Sequence, residues 1–158
     1  MLDLRDSGQH RVAIGGAGMQ RKPGRQQGPA DPDPQRREVA GPTTAEVADE
    51  IARDLLAIHH DSYGRPAASA EAHVLGDTVI VLLDGLELLP NEEFLIGEGQ
   101  GEAVGRIRTE YQGAIGPTFI AAVERATGRR VIGFASHIQI EEPRFMCEVF
   151  RLEPSGEL

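Results

Sequence analysis

The longest apolar run in this 158-residue chain has only five members, VIVLL at residues 79–83. A membrane-spanning helix needs about 20 predominantly apolar residues, so the sequence predicts a protein that does not insert into a membrane. A strand with one solvated face alternates apolar and polar residues, and this run does not alternate. It therefore predicts a central strand of a sheet, or a strand that is covered on both faces.

The sequence predicts two β-hairpins, each made of two strand-like runs that flank a turn. The first turn is Gly76-Asp77, a residue pair typical of tight hairpins, and the second is Glu141-Glu142-Pro143. The predicted strands are residues 69–75 and 78–84 in the first hairpin, and residues 129–140 and 144–152 in the second.

An amphipathic helix is predicted to begin at Thr43. Thr43-Thr44-Ala45-Glu46 has the spacing of a capping box, in which an N-cap hydroxyl is followed three residues later by a carboxylate. Gly64 is expected to end this helix, and Pro66 to prevent it from resuming. Apolar residues recur at helical spacing along one face: Val47, Ile51, Leu55 and Ile58.

A second, longer helix is predicted from about residue 100 to residue 127, with Gly128 as its C-cap. Because proline lacks a backbone donor and clashes with the preceding turn, Pro117 predicts a kink or a break at Gly116. The core face is predicted from apolar residues that recur every four positions: Ile107, Tyr111, Ile115, Phe119 and Val123.

The order helix, hairpin, helix, hairpin predicts an α+β fold. We expect a two-layer sandwich in which two helices cover one face of a four-stranded, mainly antiparallel sheet. The connection over residues 84–100 is expected to contain a short helical turn near residues 91–96. Because the run at residues 79–83 is apolar on both faces of its strand, the sheet face opposite the helices also needs to be covered. The connection or another subunit could supply it, and we favour a homodimer.

Composition divides the chain into three parts. Residues 1–42 are rich in proline, glycine and arginine and poor in apolar residues, so we predict a disordered tail. We place the domain at residues 43–154 and a polar C-terminal end at residues 155–158. Residues 43–158 hold 9 Arg and 20 Asp or Glu, a net charge of −11. This charge disfavours nucleic-acid binding by the domain, because it repels phosphate.

Cysteine content and the N-terminal sequence predict the compartment. Cys147 is the only cysteine, which excludes an internal disulfide and a multi-cysteine metal site. Residues 1–20 do not resemble a signal peptide, because Asp3, Asp6 and His10-Arg11 interrupt any hydrophobic region. The expected location is the cytoplasm.

Several segments of the domain, taken in their order along the chain, resemble the MpsC-like family. The similarity extends over about residues 43–154. The family is named for part of a Na+-translocating, membrane-potential-generating system. The segments are SYGRP at 62–66, Arg106 with EYQ at 110–112, FIAAVE at 119–124, TGRRV at 127–131, FASH at 134–137 and CEVFRLEP at 147–154.

The resemblance implies an accessory or regulatory role and brings no catalytic residue and no cofactor with it. Some family members accompany membrane subunits linked to sodium, membrane potential and bicarbonate uptake. A chain without a membrane span cannot itself translocate an ion, so we expect it to act beside such subunits, on the cytoplasmic side, through contact with a protein partner.

Four residues are candidates for a ligand or interface role: Arg65, His137, Arg129 and Arg130. The arginines could bind an anion such as bicarbonate or an acidic partner surface, and the alternative is that they are ordinary surface residues. His137 could contact a ligand or a partner. Ser136 cannot pair with it directly, because successive strand side chains point to opposite faces.

Two other sets of residues have chemically versatile side chains but are predicted to be structural. His59-His60-Asp61 has the residue types of a metal site, yet adjacent helical side chains point about 100° apart. Cys147 lies in an apolar strand and is predicted to be inert. We therefore predict no catalytic residue, no metal and no cofactor.

Three functions are consistent with the sequence. We favour a non-enzymatic accessory or regulatory protein. The alternative is a dimeric domain that senses a small anion or another ligand. The third is an enzyme that uses His137 with an acidic neighbour and an arginine clamp, which requires His137, Arg65 and a carboxylate to share one pocket.

Overall fold

The computed structural model describes residues 40–156 of the chain. The tail predicted over residues 1–42 lies, apart from its last three residues, outside the described residues, and so do residues 157–158 of the predicted C-terminal end. Within residues 40–156, no helix combines the length and the apolar character that crossing a membrane requires.

Residues 40–156 form three helices and four strands. The helices are α1 (Thr44–Tyr63), α2 (Pro90–Gly97) and α3 (Gly101–Thr127). The strands are β1 (Ser69–Leu75), β2 (Thr78–Asp84), β3 (Val131–Gln139) and β4 (Phe145–Leu152). The predicted α+β fold is confirmed, and α2 is the short helix expected in the connection between β2 and α3.

The four strands form one antiparallel sheet in the order β1-β2-β4-β3. The two hairpins therefore meet along β2 and β4, and β1 and β3 are the edge strands. The apolar run at residues 79–83 belongs to β2, so the prediction of a central strand is confirmed. Its side chains alternate between fully buried and half-buried, because the helices cover only one of its two faces.

The capping box predicted at Thr43 sets the start of α1. The Thr43 hydroxyl accepts a hydrogen bond from the Glu46 N–H at 3.2 Å, and Glu46 Oε2 accepts one from the Thr43 N–H at 2.7 Å. Gly64 ends the helix in a left-handed conformation with φ 67°, which residues with a Cβ rarely adopt. Local sequence alone therefore fixes both ends of α1.

The helices α1 and α3 run antiparallel on the same side of the sheet. Asp54 Oδ2 lies 2.9 Å from Arg125 Nη2, whereas Tyr63, further along α1, bonds to the earlier α3 residue Gln112. α1 packs against β1, and α3 packs against β3. The core lies between this helical layer and the sheet and includes Ile51, Leu55, Phe119, Val123 and Phe150.

The break expected in the second long helix is wrong, because α3 continues through Pro117 to Thr127. A residue with an N–H at position 117 would donate to the carbonyl of Gly113. Gly113 and Pro117 both lie on the exposed side of the helix. Water can reach the free carbonyl there, so the missing donor costs less than it would in a buried turn.

The predicted core face of α3 is correct only in the C-terminal half of the helix. Phe119 and Val123 are fully buried, whereas Ile107 is 60% exposed and Tyr111 is 43% exposed. Spacing in the N-terminal half thus selected the wrong face, because the residues that face the sheet there are largely polar. The buried row in that half is Val104, Arg108 and Gln112, and it continues into the C-terminal half at Gly116.

Candidate functional site

A group of buried polar side chains lies between the helices and the sheet, at the end where α1 finishes. We call this group the polar cluster. Burying polar groups costs free energy unless they are paired, so their hydrogen bonds decide what the cluster can do. Its members are His59, Tyr63, Arg108, Gln112 and Glu148.

Glu148 is the acceptor at the centre of the cluster. The alternation of β4 turns its side chain toward the helices. Gln112 Nε2 donates to Glu148 Oε1 at 2.6 Å, and Ser136 Oγ donates to the same oxygen at 3.0 Å. Tyr63 Oη donates to Gln112 Oε1 at 2.9 Å. These bonds connect α1, α3, β3 and β4 through one chain of polar groups.

Arg108 is the buried cation of the cluster. Its Nε and Nη2 donate to the two carboxylate oxygens of Glu92, each at 2.8 Å, which is the bidentate geometry of a strong ion pair. Its guanidinium carbon lies 4.7 Å from the centre of the Tyr63 ring, within the range of a cation–π contact. Glu92 also accepts from the Leu89 N–H at 2.7 Å, so the ion pair joins α3 to the start of α2.

Burial shifts the pKa values of the acid and the base in the cluster so that both tend to be neutral. It raises the pKa of Glu148 to about 7, against the opposing effect of the hydrogen bonds from Ser136 and Gln112. Burial, reinforced by the charge of Arg108, lowers the pKa of His59 to about 4. Near pH 6 the folded protein therefore holds both groups mainly uncharged.

A cavity of about 280 Å³ lies beside the polar cluster. Tyr63, Leu89, Ile107, Arg108 and Tyr111 contribute to its walls. Glu92, which also lines the cavity, already neutralises Arg108. Of the five other lining residues, only Ser62 is neither apolar nor aromatic. The cavity therefore suits a small uncharged molecule better than an anion.

The sheet face opposite the helices has an apolar centre on β2 and β4. Ile80, Leu82, Phe145, Cys147 and Val149 form this surface, which we call the outer sheet face. Each of these side chains is half-buried. Among residues 40–156, α1 and α3 pack on the other side of the sheet and α2 packs on α3, so no described helix covers this face.

The two ends of the outer sheet face carry opposite charges. Arg151 lies opposite Thr78 at one end, and Asp84 lies opposite Phe145 at the other. On the neighbouring strand β1, Glu71 is paired with Leu82, two positions closer to the acidic end than His73. The face is therefore basic at one end, acidic at the other and apolar between them.

A third feature is a wide groove of about 900 Å³ beside β3. Residues 136–142 line one side of it, and the N-terminal half of α3 lines the other through residues that include Gly105 and Thr109. Consecutive strand residues point to alternate faces of a sheet. A groove that all of them line therefore runs along the open edge of the strand.

The three predicted arginines do not converge on one site. Each has an acidic partner, with which an incoming anion would have to compete. The pairs are Arg65 with Glu87, Arg129 with Asp77, and Arg130 with Glu153.

His137 and Ser136 lie on opposite faces of β3, as strand alternation predicts. Ser136 bonds to Glu148 on the helix side, whereas the His137 ring lies 6.1 Å from the ring of Phe145 on the other side. His137 is exposed and lines the groove beside β3, but Arg65 does not line that groove. An active site built from His137 and Arg65 would need them in one pocket, and the described residues do not form that arrangement.

The residues with metal-binding or thiol chemistry also lie apart. His59 is fully buried while the side chain of His60 is 59% exposed, so the two imidazoles do not face a common ion. Cys147 is half-buried on the outer sheet face, and burial raises the pKa of its thiol, which makes it less nucleophilic at neutral pH.

The sequence interpretation missed the polar cluster, although two signals were present. Glu148 occupies an inward position in the alternation of β4, and a carboxyl at such a position needs a partner. Arg108 and Gln112 lie four residues apart, and therefore on one helix face. Neither signal names the partner groups, because Gln112 meets Glu148 across 36 residues of sequence and Tyr63 across 49.

Comparison with known proteins places the domain in a family. The model of the family described as Na+-translocating membrane potential-generating system (MpsC) matches residues 43–153. No curated protein and no solved structure matches the chain. The resemblance drawn from the ordered sequence segments is therefore confirmed.

Proposed function

This chain belongs to the MpsC family, and from the system that the family is named for we propose that it is a non-enzymatic accessory or regulatory protein of Na+-linked, membrane-potential or bicarbonate transport. It acts on the cytoplasmic side of the membrane by contact with other protein chains. The observation that supports a contact role is the outer sheet face, an apolar surface that no described helix covers. Exposed apolar patches of this kind mark protein interaction sites.

The first partner of the outer sheet face in this proposal is a second copy of the chain. Consider a twofold axis that lies just outside the outer sheet face, parallel to the plane of the sheet and perpendicular to the strands. It stacks the Arg151 end of one copy over the Asp84 end of the other. It also brings His73 of one copy near Glu71 of the other. Such an isologous contact buries both apolar centres and pairs opposite charges on both sides.

Light scattering coupled to size exclusion tests the dimer. The wild-type protein should elute with twice the chain mass of 17.1 kDa. Leu82→Lys places a charge in the apolar centre and should give monomers. Ile107→Lys changes an apolar residue that is 60% exposed on α3, and it should leave the dimer intact. A monomeric wild type, or equal behaviour of the two variants, contradicts the stacked dimer.

A charge exchange tests the orientation of the two copies. Arg151→Glu should weaken the dimer, because it places a carboxylate over Asp84 of the other copy. Adding Asp84→Arg should restore much of the loss, since it recreates an opposite-charge pair. If the double variant is weaker than either single variant, the twofold axis assumed here is wrong.

Cross-linking in cells tests the accessory role. The tagged protein should cross-link to membrane subunits of an ion or bicarbonate transport system. A deletion strain should grow poorly at low CO₂ or at altered Na+ concentrations. Normal growth of the deletion strain under all these conditions, with no membrane subunit recovered, contradicts the role.

A ligand-sensing role is the second candidate, and the cavity beside Arg108 favours it. Apolar walls with a few polar groups are typical of small-molecule sites. Thermal-shift screening with small uncharged aromatic compounds and with small anions tests this candidate. A compound that binds the folded state should raise the melting temperature of the wild type and lose this effect in Ile107→Ala, which removes part of a wall.

A further inference from the structure

The open edge of β3 differs in its sequence from edges that stay solvent-exposed. Natural edge strands are protected by lysine and other charged residues, by proline, or by bulges. Residues 131–140, VIGFASHIQI, contain no charged residue and no proline. The only irregularity in the β3–β4 register lies at Val131/Gly133, at the start of the strand. The other edge strand, β1, carries Glu71 next to its central residue, Ala72.

Hydrogen bonds around β4 identify which backbone groups of β3 remain open. The Leu152 N–H donates to Asp77 O, and the Gly85 N–H donates to Arg144 O, so even-numbered residues of β4 bond toward β2. Odd-numbered residues of β4 must then bond toward β3, because the direction alternates along a strand. Their partners on β3 are also odd-numbered, from Ala135 to Gln139.

The even-numbered residues Phe134, Ser136 and Ile138 therefore turn their N–H and C=O groups away from β4. Within residues 40–156, these groups have no strand beside them, because β3 is the last strand of the sheet. A row of free donors and acceptors at regular spacing is the template on which an added strand pairs.

The groove beside this edge has room for an added strand. Its helical wall contains Gly101 and Gly105, one turn apart, and the absence of side chains at these positions leaves the groove wide. A Cβ built on Gly105 would meet only Ile140 Cδ1, at 3.7 Å, which is ordinary contact. A larger side chain would therefore extend from this position without a clash against the described structure.

The charge of the groove indicates which kind of added strand it would bind. Its lining includes four carboxylates and one guanidinium, those of Glu102, Glu110, Glu141, Glu142 and Arg106. Glu102 pairs with Arg106 and Glu142 pairs with Arg144, whereas Glu110 and Glu141 have no ion pair among the described residues. A second copy paired edge to edge would bring these carboxylates close to the same carboxylates of the other copy, and like charges repel. A basic segment would instead meet opposite charge.

We propose that the groove beside β3 binds an extended, basic segment of a partner protein, which adds to the sheet as a fifth strand. The backbone of the segment bonds to Phe134, Ser136 and Ile138, and its lysines or arginines lie near the carboxylates of the groove. This contact is separate from the outer sheet face, so it does not depend on the stacked dimer.

Backbone hydrogen exchange on the full chain tests the pairing. The probes are two capped seven-residue peptides that alternate valine with arginine or valine with glutamate. The arginine peptide should slow exchange of the Phe134, Ser136 and Ile138 amides by about tenfold or more at saturation, because each gains a partner. The glutamate peptide should leave these amides unchanged, and added salt should weaken the arginine peptide's effect.

Two matched variants of α3 test the groove. Gly105→Leu fills it from the helical side and should weaken binding of the arginine peptide about tenfold. Gly113→Leu is the control, since Gly113 has no neighbour within 4 Å of a built Cβ and lies outside the groove lining. It should bind the peptide like the wild type.

Three outcomes overturn the proposal. The first is that the arginine peptide does not bind, or binds without slowing exchange at the three amides. The second is an equal effect of the two glycine variants. The third is protection of the same amides in the free protein that rises with protein concentration, which shows that a second copy occupies the edge.

Discussion

The two ends of the layer between helices and sheet differ in chemistry although the same elements build both. At one end, Ile51, Phe119 and Val123 pack as a purely apolar core. At the other end, the same two helices contribute His59, Tyr63, Arg108 and Gln112 to the polar cluster. One helix pair on one sheet thus supports two kinds of interior, a dry core and a hydrogen-bonded network.

The two ends differ in how many of their buried polar atoms lack a hydrogen-bond partner. The core side chains of the apolar end, such as Ile51, Phe119 and Val123, carry no polar atom that needs a partner. In the polar cluster, both ring nitrogens of His59, Arg108 Nη1 and Glu148 Oε2 are buried without a hydrogen bond among the described residues. Unpaired buried polar atoms cost free energy. The apolar end therefore stabilises the fold, and the polar end makes its stability depend on pH.

Truncation of Phe119 tests the apolar end and has the largest expected effect. Phe119→Ala removes a fully buried ring and leaves a cavity, so unfolding by denaturant should show a loss of about 4 kcal/mol. Ile107→Ala on the same helix is the control. Because Ile107 is 60% exposed, it should lose less than about 1 kcal/mol. Equal losses would support the core face first predicted for α3.

That correction shows how far the sequence determines this fold. Local signals such as the capping box at Thr43 and the turn at Gly76-Asp77 act over a few residues, and both predictions hold. Which face of a helix is buried depends on the residues that pack opposite it. Ile107 and Arg108 are both candidates for burial until Glu92 and Tyr63 are known to surround Arg108. These contacts join segments that are distant in sequence, so the periodicity of apolar residues along one helix cannot predict them.

The carboxyl of Glu148 tests the polar end through pH. Its pKa is about 7 in the folded chain, above the ordinary value of 4.5, because of burial. The folded state then binds the extra proton between these values, so the wild type loses stability as pH rises from 4.5 through 7. Glu148→Gln removes this loss. Its stability relative to the wild type should increase by roughly 3 kcal/mol between pH 4 and pH 8.

Direct titration of the Glu148 carboxyl is the control for the stability experiment. The carboxyl carbon of Glu148, followed by ¹³C NMR in the folded wild type, should titrate with a midpoint near pH 7. Gln112→Leu removes the donor at 2.6 Å, so the midpoint should move upward. A midpoint near the ordinary value, together with a flat stability difference for Glu148→Gln, rules out the pH-dependent polar end.

His59 gives the opposite pH dependence. Its pKa is lowered to about 4 by burial, so below the ordinary value of 6.5 the unfolded chain binds the extra proton. The wild type therefore loses stability as pH falls from 6.5 through 4. His59→Leu fills the site with an apolar side chain. Its stability relative to the wild type should rise by about 2 kcal/mol between pH 7.5 and pH 5.

The neighbouring residue supplies the control for His59. His60→Leu adds the same side chain to α1 at an exposed position, and its effect should stay below about 0.5 kcal/mol. Between pH 4.5 and 6.5 the contributions of His59 and Glu148 have opposite slopes and largely cancel in the wild type. Stability curves of the two single variants against pH should therefore diverge in this range, and parallel curves would show that neither group titrates as the structure predicts.

Two glycines of α3, three residues apart, give the smallest and most local test. A Cβ on Gly113 meets nothing within 4 Å, whereas a Cβ on Gly116 lies 2.9 Å from Phe134 Cε1. Gly113→Ala should stabilise the protein by about 0.5–1 kcal/mol, since alanine loses less backbone entropy in a helix. Gly116→Ala gains the same propensity but must displace the Phe134 ring where the apolar end meets the polar cluster, so thermal melting should show a net loss. If both variants stabilise equally, the boundary between the two ends is loosely packed.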